Sequence, residues 1–161
     1  MGTGMQILDA QLLLLLLLWS IAEMAVVPAP TELLVIPLTA SQNLNPLIVA
    51  FVGTVGSVIG GMIDYYLGRR AFVLLNEKFA IAKRVKDIQK RFHRLAKYGF
   101  PGLLAVGRVF PLGSLKPVMI FAGCINYDKR NYLLIIGASS FVRYLVAATV
   151  GSLLSLLLTY L

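Results

Sequence analysis

Two prolines and a glutamate stand together in Pro28-Ala29-Pro30-Thr31-Glu32, with apolar sequence on both sides. A proline removes a backbone donor and breaks a helix, and a carboxylate needs a partner wherever water is excluded. The flanking sequence runs from Ile7 to about Ala25 on one side and stops at Ala40 on the other. Composition decides what kind of interior surrounds the break. Of 161 residues, 58% are hydrophobic and 14% charged, against roughly half and a quarter in soluble domains. A chain of this length has no soluble core large enough for that apolar excess, so its solvent is expected to be a bilayer. Broken backbone at membrane depth is tolerated only where protein or a water-filled cavity lines it, so residues 26–44 are expected to form a re-entrant hairpin.

The other segments follow the same logic. Leu12 to Leu18 is unbroken leucine with no basic residue ahead of it, and Ala22-Glu23-Met24 makes a poor cleavage site. The segment is therefore expected to be a retained helix that crosses the bilayer, not a signal peptide. Leu47 to Leu67 is long enough to span, and Gly56 and Gly60 give it a small-xxx-small face. That face suits close packing within the chain or in a homodimer equally. Ten of the fifteen Lys and Arg residues fall between Arg69 and Lys97. Basic sequence between apolar segments marks a cytoplasmic loop and argues against nucleic acid as the partner of this +8 chain. Within it, Ile81, Val85, Ile88, Phe92 and Leu95 recur at helical spacing, so residues 77–97 are expected to lie on the membrane surface.

The second half repeats the theme. Pro101 to Gly123 is apolar but interrupted by Arg108, Pro111, Gly113, Lys116 and Pro117, and Tyr132 to Tyr160 is a long apolar helix. The expected fold is thus an all-α polytopic membrane protein in a single domain. Residues 5–67 form a first half with re-entrant segment 26–44. Residues 69–98 are the basic loop, and 99–161 form a second half with re-entrant segment 100–123. With the amino terminus inside and the first helix crossing outward, the hairpins enter from opposite leaflets in an inverted-repeat-like plan.

Charges inside membrane segments cost about 2.5–3.5 kcal/mol each on insertion scales and commonly mark function. Those here are Glu23, Glu32, Asp64, Arg108, Lys116 and Arg143. Glu32 and Arg108 would pair if the hairpins meet, and Glu32 is also placed to exchange a proton. Arg108 and Lys116 suit an anionic ligand, the first as a planar fork and the second as a compact charge. Arg143 either faces a cavity or caps a polar cluster. Asp64 is expected in an interfacial salt bridge with Arg69. Cys124 and His93 are each the only residue of their type, which leaves no cysteine metal site, paired histidine or activated nucleophile. Neither an enzyme nor a cofactor or metal is expected.

These residues also carry a family resemblance. Glu23 followed by Pro28-Ala29-Pro30-Thr31-Glu32 is similar to the E-x4-P-x-P-x-E signature of the DedA family, also called the VTT or SNARE-associated domain. Gly56-x3-Gly60-x4-Tyr65-x2-Gly68-Arg69 resembles its glycine-rich helix. Lys97-Tyr98-Gly99, Gly107-Arg108-Val109-Phe110-Pro111 and Ala122-Gly123 resemble its later motifs, with Gly137-Ala138 and Gly151 in its final helix. The likeness covers roughly residues 20–152. The chain departs from the pattern at Gly61, where the family often has Asp, and at Ser114, where it has a second Arg. Arg143-Tyr144 stands where it has tryptophan.

The resemblance implies two opposed re-entrant hairpins, with Pro28, Pro30, Pro111 and Gly123 as structural residues. It also implies a flippase in the cell membrane that moves an anionic lipid carrier such as polyprenyl or undecaprenyl phosphate. Arg108, Lys116 and Arg143 would meet the phosphate, and Glu32 and Glu23 would couple to a proton or cation. The alternatives are a proton-coupled ion or drug exporter, a phospholipid scramblase, and a scaffold docked through the 77–97 surface.

Overall fold

The computed structural model describes residues 2–25, 31–42, 44–79, 101–102, 104–105 and 116–160. All regular structure among them is helical. The principal helices are α1 (Gly2–Ala25), α2 (Glu32–Gln42), α3 (Pro46–Phe79), α4 (Lys116–Cys124) and α5 (Lys129–Tyr160). Pro28, Pro30, Arg108, Pro111 and residues 80–97 lie outside the described residues. The residues at 77–79, expected to begin a surface helix, instead continue α3.

Local chemistry sets several helix ends. Asn45 caps α3, its Oδ1 accepting from the Leu47 N–H at 2.9 Å. Pro46 occupies the first helical position, where its missing donor costs nothing. The Thr31 carbonyl accepts from the Leu34 and Val35 amides to open α2, and Glu32 sits in the first turn, where the helix dipole favours an anion. After α4, Asn126 takes a left-handed φ of 53°. Asparagine tolerates that conformation at a helix end, and it lets the Tyr127 N–H return to the Ala122 carbonyl.

α3 and α5 pack antiparallel along their length. Tyr132 donates its hydroxyl to the Gly61 carbonyl at 2.9 Å, and eight residues earlier on α3 the Tyr144 ring covers Gly53. The inner face of α3 is small or polar: Gly53, Gly56, Ser57, Gly60, Gly61, Asp64 and Gly68 are all buried. Its outer face exposes Leu47, Phe51, Val55, Ile59, Ile63 and Leu67, one every four residues. In α5, Ser139, Ser140, Arg143 and Tyr144 are buried while Leu134, Val142, Val146 and Val150 are exposed. This arrangement inverts the soluble rule, under which large apolar side chains go inside. It matches packing in lipid, where small residues let helices approach and polar groups face one another. Pro46–Leu74 and Lys129–Leu157 are each long and apolar enough to cross a membrane.

Two apolar clusters stack along this pair. One joins Leu16 of α1 and Val35 and Leu38 of α2 to Val49, Ala50, Ala147 and Ala148, with Leu12 and Leu13 packed against it. The other joins Met119 and Ala122 of α4 to Tyr65, Tyr132 and Ile136. Bare backbone docks the shorter helices. A Cβ on Gly56 would come within 2.7 Å of Ser20 Cβ and 2.8 Å of the Leu17 carbonyl. A Cβ on Gly151 would overlap α2 at Ile36 and Thr39. Gly68 and Gly123 face the backbone of Ile120 and Tyr65 across the α3–α4 crossing. The Gly56 face is therefore occupied within the chain.

One feature of α1 differs from the expected crossing. Leu16 belongs to the cluster that holds Val49 and Ala50, with Leu12 and Leu13 packed against it, and Ser20 packs beside Gly56. The two helices therefore run in the same direction, and α1 ends near mid-height of α3. A 24-residue apolar helix is long enough to span, but its length alone does not set its direction.

Candidate functional site

The ends of α1 and α2 converge on α5 at mid-height, between the two apolar clusters. Arg143 of α5 forms a two-pronged pair with Glu32: Nε binds Oε1, and Nη2 donates to Oε2 at 2.7 Å. The same Nη2 donates to Glu23 Oε1 at 3.2 Å. The other Glu23 oxygen accepts from the Thr31 hydroxyl. Arg143, Glu23 and Thr31 are 8%, 4% and 0% exposed. The group is thus nearly sealed, and its charges must satisfy one another. One guanidinium holds a carboxylate from each side of the 26–30 break.

Register brings them together. Gly151 lets α2 lie close to α5 at Ile36 and Thr39. Two helical turns back along both helices, this places Glu32 beside Arg143. Around the cluster, the guanidinium lies 5.8 Å from the Tyr144 ring centroid, and the Tyr144 hydroxyl pairs with Ser57 Oγ at 2.7 Å. Further along the α3–α5 seam come the Tyr132–Gly61 bond and Tyr65, whose hydroxyl donates to the Tyr127 carbonyl at 2.8 Å. Several other α5 hydroxyls bond carbonyls of their own helix, as Ser139 does to Ile135 at 2.6 Å. This satisfies them without a neighbour.

Three of the residues singled out from sequence, Glu23, Glu32 and Arg143, thus form one site. Arg143 caps a polar cluster and pairs with Glu32; the expected pairing of Glu32 with Arg108 involves a residue outside the described ones. Lys116 begins α4, and Gly123 serves the α3–α4 crossing. Asp64 is buried within the bundle, and the expected pairing with Arg69 is not seen. It is 3% exposed, whereas Arg69 is exposed. Five helical residues turn the chain well past one revolution and put the two on different faces. Thr31, Tyr144 and Ser57 escaped the sequence analysis. Thr31, between Pro30 and Glu32 at a helix start, was the most visible of them. Among the described residues no three His, Cys, Asp or Glu side chains are grouped as metal ligands would be.

At the basic end of the seam, Lys129 donates to the Tyr66 hydroxyl at 2.6 Å, which brings the starts of α5 and of the Arg69–Arg70 turn together. Arg69, Arg70, Lys129 and Arg130 are all exposed there. Among the described residues, the opposite end, where α2 meets α3 and α5 finishes, has no Lys or Arg.

A family model described as the VTT domain matches residues 28–153. No match was found among curated proteins or among solved structures.

Proposed function

This chain belongs to the VTT-domain family, the DedA or SNARE-associated domain, and from that premise we propose that it is a membrane transporter for an anionic lipid carrier. The substrate class is a polyprenyl phosphate such as undecaprenyl phosphate, and a proton or other cation drives its movement across the cell membrane. The observation that carries this reading is the sealed Glu23–Arg143–Glu32 cluster at mid-height of a bundle whose outer faces are apolar. Ionisable groups kept at that depth mark transport pathways and proton relays more often than simple braces.

The packing of α1 along α3 and of α2 along α5 supports a first re-entrant hairpin whose arms are α1 and α2. On this reading the second hairpin enters from the basic end, with α4 as one arm. Positive charge concentrates on cytoplasmic faces, so Arg69, Arg70, Lys129 and Arg130 mark the inside. On the same reading Arg108 and Lys116 hold the phosphate, and Glu32 and Glu23 couple to the proton or cation. The chain acts by moving its ligand, without enzymatic chemistry and without a cofactor.

The test is binding and transbilayer movement of a polyprenyl phosphate in proteoliposomes, for wild type, Arg108→Gln and Glu32→Gln. Saturable binding by wild type, abolished by Arg108→Gln, and gradient-driven movement lost in Glu32→Gln are expected. No binding by well-folded wild type would overturn the lipid reading in favour of an ion or drug exporter. Movement indifferent to any gradient would instead point to a scramblase.

A further inference from the structure

Arg143 is held in a way that makes it more than a brace. Its guanidinium presents a planar fork of donors, and Glu32 fills that fork with two oxygens. A phosphate offers the same two-oxygen edge, so carboxylate and phosphate are competing ligands for one set of donors. We propose that Arg143 is a proton-gated phosphate site, in which protonation of Glu32 releases the guanidinium to a phosphate group and deprotonation of Glu32 takes it back. This deepens the transport reading and rests on it.

The neighbouring groups supply the reason for exchange rather than fixed pairing. The titratable and charged groups of the described residues that face Arg143 are Glu23 from α1, Glu32 from α2, and Tyr144 beside it on α5. On α3 the nearest polar partner in the network is Ser57, which is neutral. The two carboxylates are not equivalent. Glu23 is held by the Thr31 hydroxyl and one Arg143 contact, whereas Glu32 holds both prongs of the fork. Glu32 is also the more accessible, its side chain 17% exposed against 5% for Glu23. A proton arriving from water therefore reaches Glu32 first. A protonated carboxyl keeps one lone acceptor edge and becomes a donor itself, so it no longer matches the fork. Arg143 then keeps its Glu23 contact but loses its match to Glu32, which leaves the Nε edge of the fork open to another anion. When the phosphate departs, Glu32 gives up its proton and the fork closes. Charge at the site is conserved: one negative group leaves the guanidinium as another arrives, and proton and phosphate enter together.

The experiment measures binding of a short-chain prenyl phosphate to the full chain in nanodiscs as a function of pH, for wild type, Glu32→Gln, Glu23→Gln, Arg143→Lys and Arg143→Gln. Glutamine mimics the protonated carboxyl. Wild-type binding is expected to strengthen as pH falls. Glu32→Gln is expected to bind about tenfold more tightly or better at neutral pH, the equivalent of one charge-assisted hydrogen bond, and to lose most of the pH dependence. Glu23→Gln should retain the pH dependence. Arg143→Lys should keep a pH-dependent but weaker site, since it keeps the charge without the fork, and Arg143→Gln should lose the enhancement that Glu32→Gln produces when the two are combined. Wild-type binding that is unaffected by pH, or by Glu32→Gln in a folded protein, would overturn the gate while leaving the lipid substrate in place. Absence of binding in every variant at every pH would overturn both.

Discussion

Glu23, Glu32 and Arg143 illustrate how much one buried charge depends on its partners. Removing Arg143 takes a cation from between two buried carboxylates, and breaking a buried pair costs about 3–5 kcal/mol. Arg143→Gln is therefore expected to lower stability by that much in thermal unfolding in detergent. Glu32→Gln added to Arg143→Gln should recover part of the loss, a non-additivity that a double-mutant cycle reads directly. Tyr144→Phe is a milder change. It removes the hydroxyl that pairs with Ser57, and hydrogen bonds inside membrane bundles average about 0.6 kcal/mol, so a loss of about that size is expected in the same assay. The charges themselves were legible in sequence because an ionisable residue in apolar surroundings stands out. Their pairing was not. Arg143 and Glu32 are separated by 111 residues, and nothing in either segment names the other. The match depends on how far α2 slides along α5, which the bare backbone of Gly151 decides.

Among elements, glycine separates contacts that tolerate no side chain from those with room. Gly123 faces the Tyr65 backbone, and a Cβ there would overlap it, whereas Gly137 sees only Val58 Cγ2 at 3.8 Å. Gly123→Ala is expected to destabilise by about 3 kcal/mol as α3 and α4 are forced apart. Gly137→Ala should be neutral or stabilising by up to about 1 kcal/mol, since alanine is the better helix former. Thermal unfolding of the two variants side by side checks the contrast. The long helices α3 and α5 were visible as apolar runs of spanning length, and the end of α1 was visible in Pro28 and Pro30. The direction of α1 was hidden. A leucine run has no polar face to show which neighbour it follows, and the direction shows only in two contacts together, Leu16 in the Val49–Ala50 cluster and Ser20 against Gly56.

At the scale of the molecule, the inverted surface predicts where lipid lies. Spin labels at Ile59 and Ile63 are expected to collide readily with dissolved oxygen in a bilayer, and a label at Ser57 is not, because those side chains occupy opposite faces of α3. The course of α1 predicts sidedness. With Cys124 replaced by alanine, single cysteines at Thr3 and Asn45 should react with an impermeant reagent from one side and a cysteine at Arg130 from the other. Labelling of Thr3 from the Arg130 side would mean that α1 crosses after all. The length of α3 has a mechanical consequence. Its 34 residues extend about 51 Å, well beyond a hydrocarbon core of about 30 Å, and its tightest contact, at Gly68, lies towards the basic end. For a rigid rod pivoting at that contact, the arm lengths would set the relative motions of its two ends. From Gly68 to Phe79 is about 16 Å of helix, so a swing of about 10° displaces the tip by about 3 Å. The longer arm, from Gly68 back to Pro46, is about 33 Å, so the same swing would move its end about twice as far.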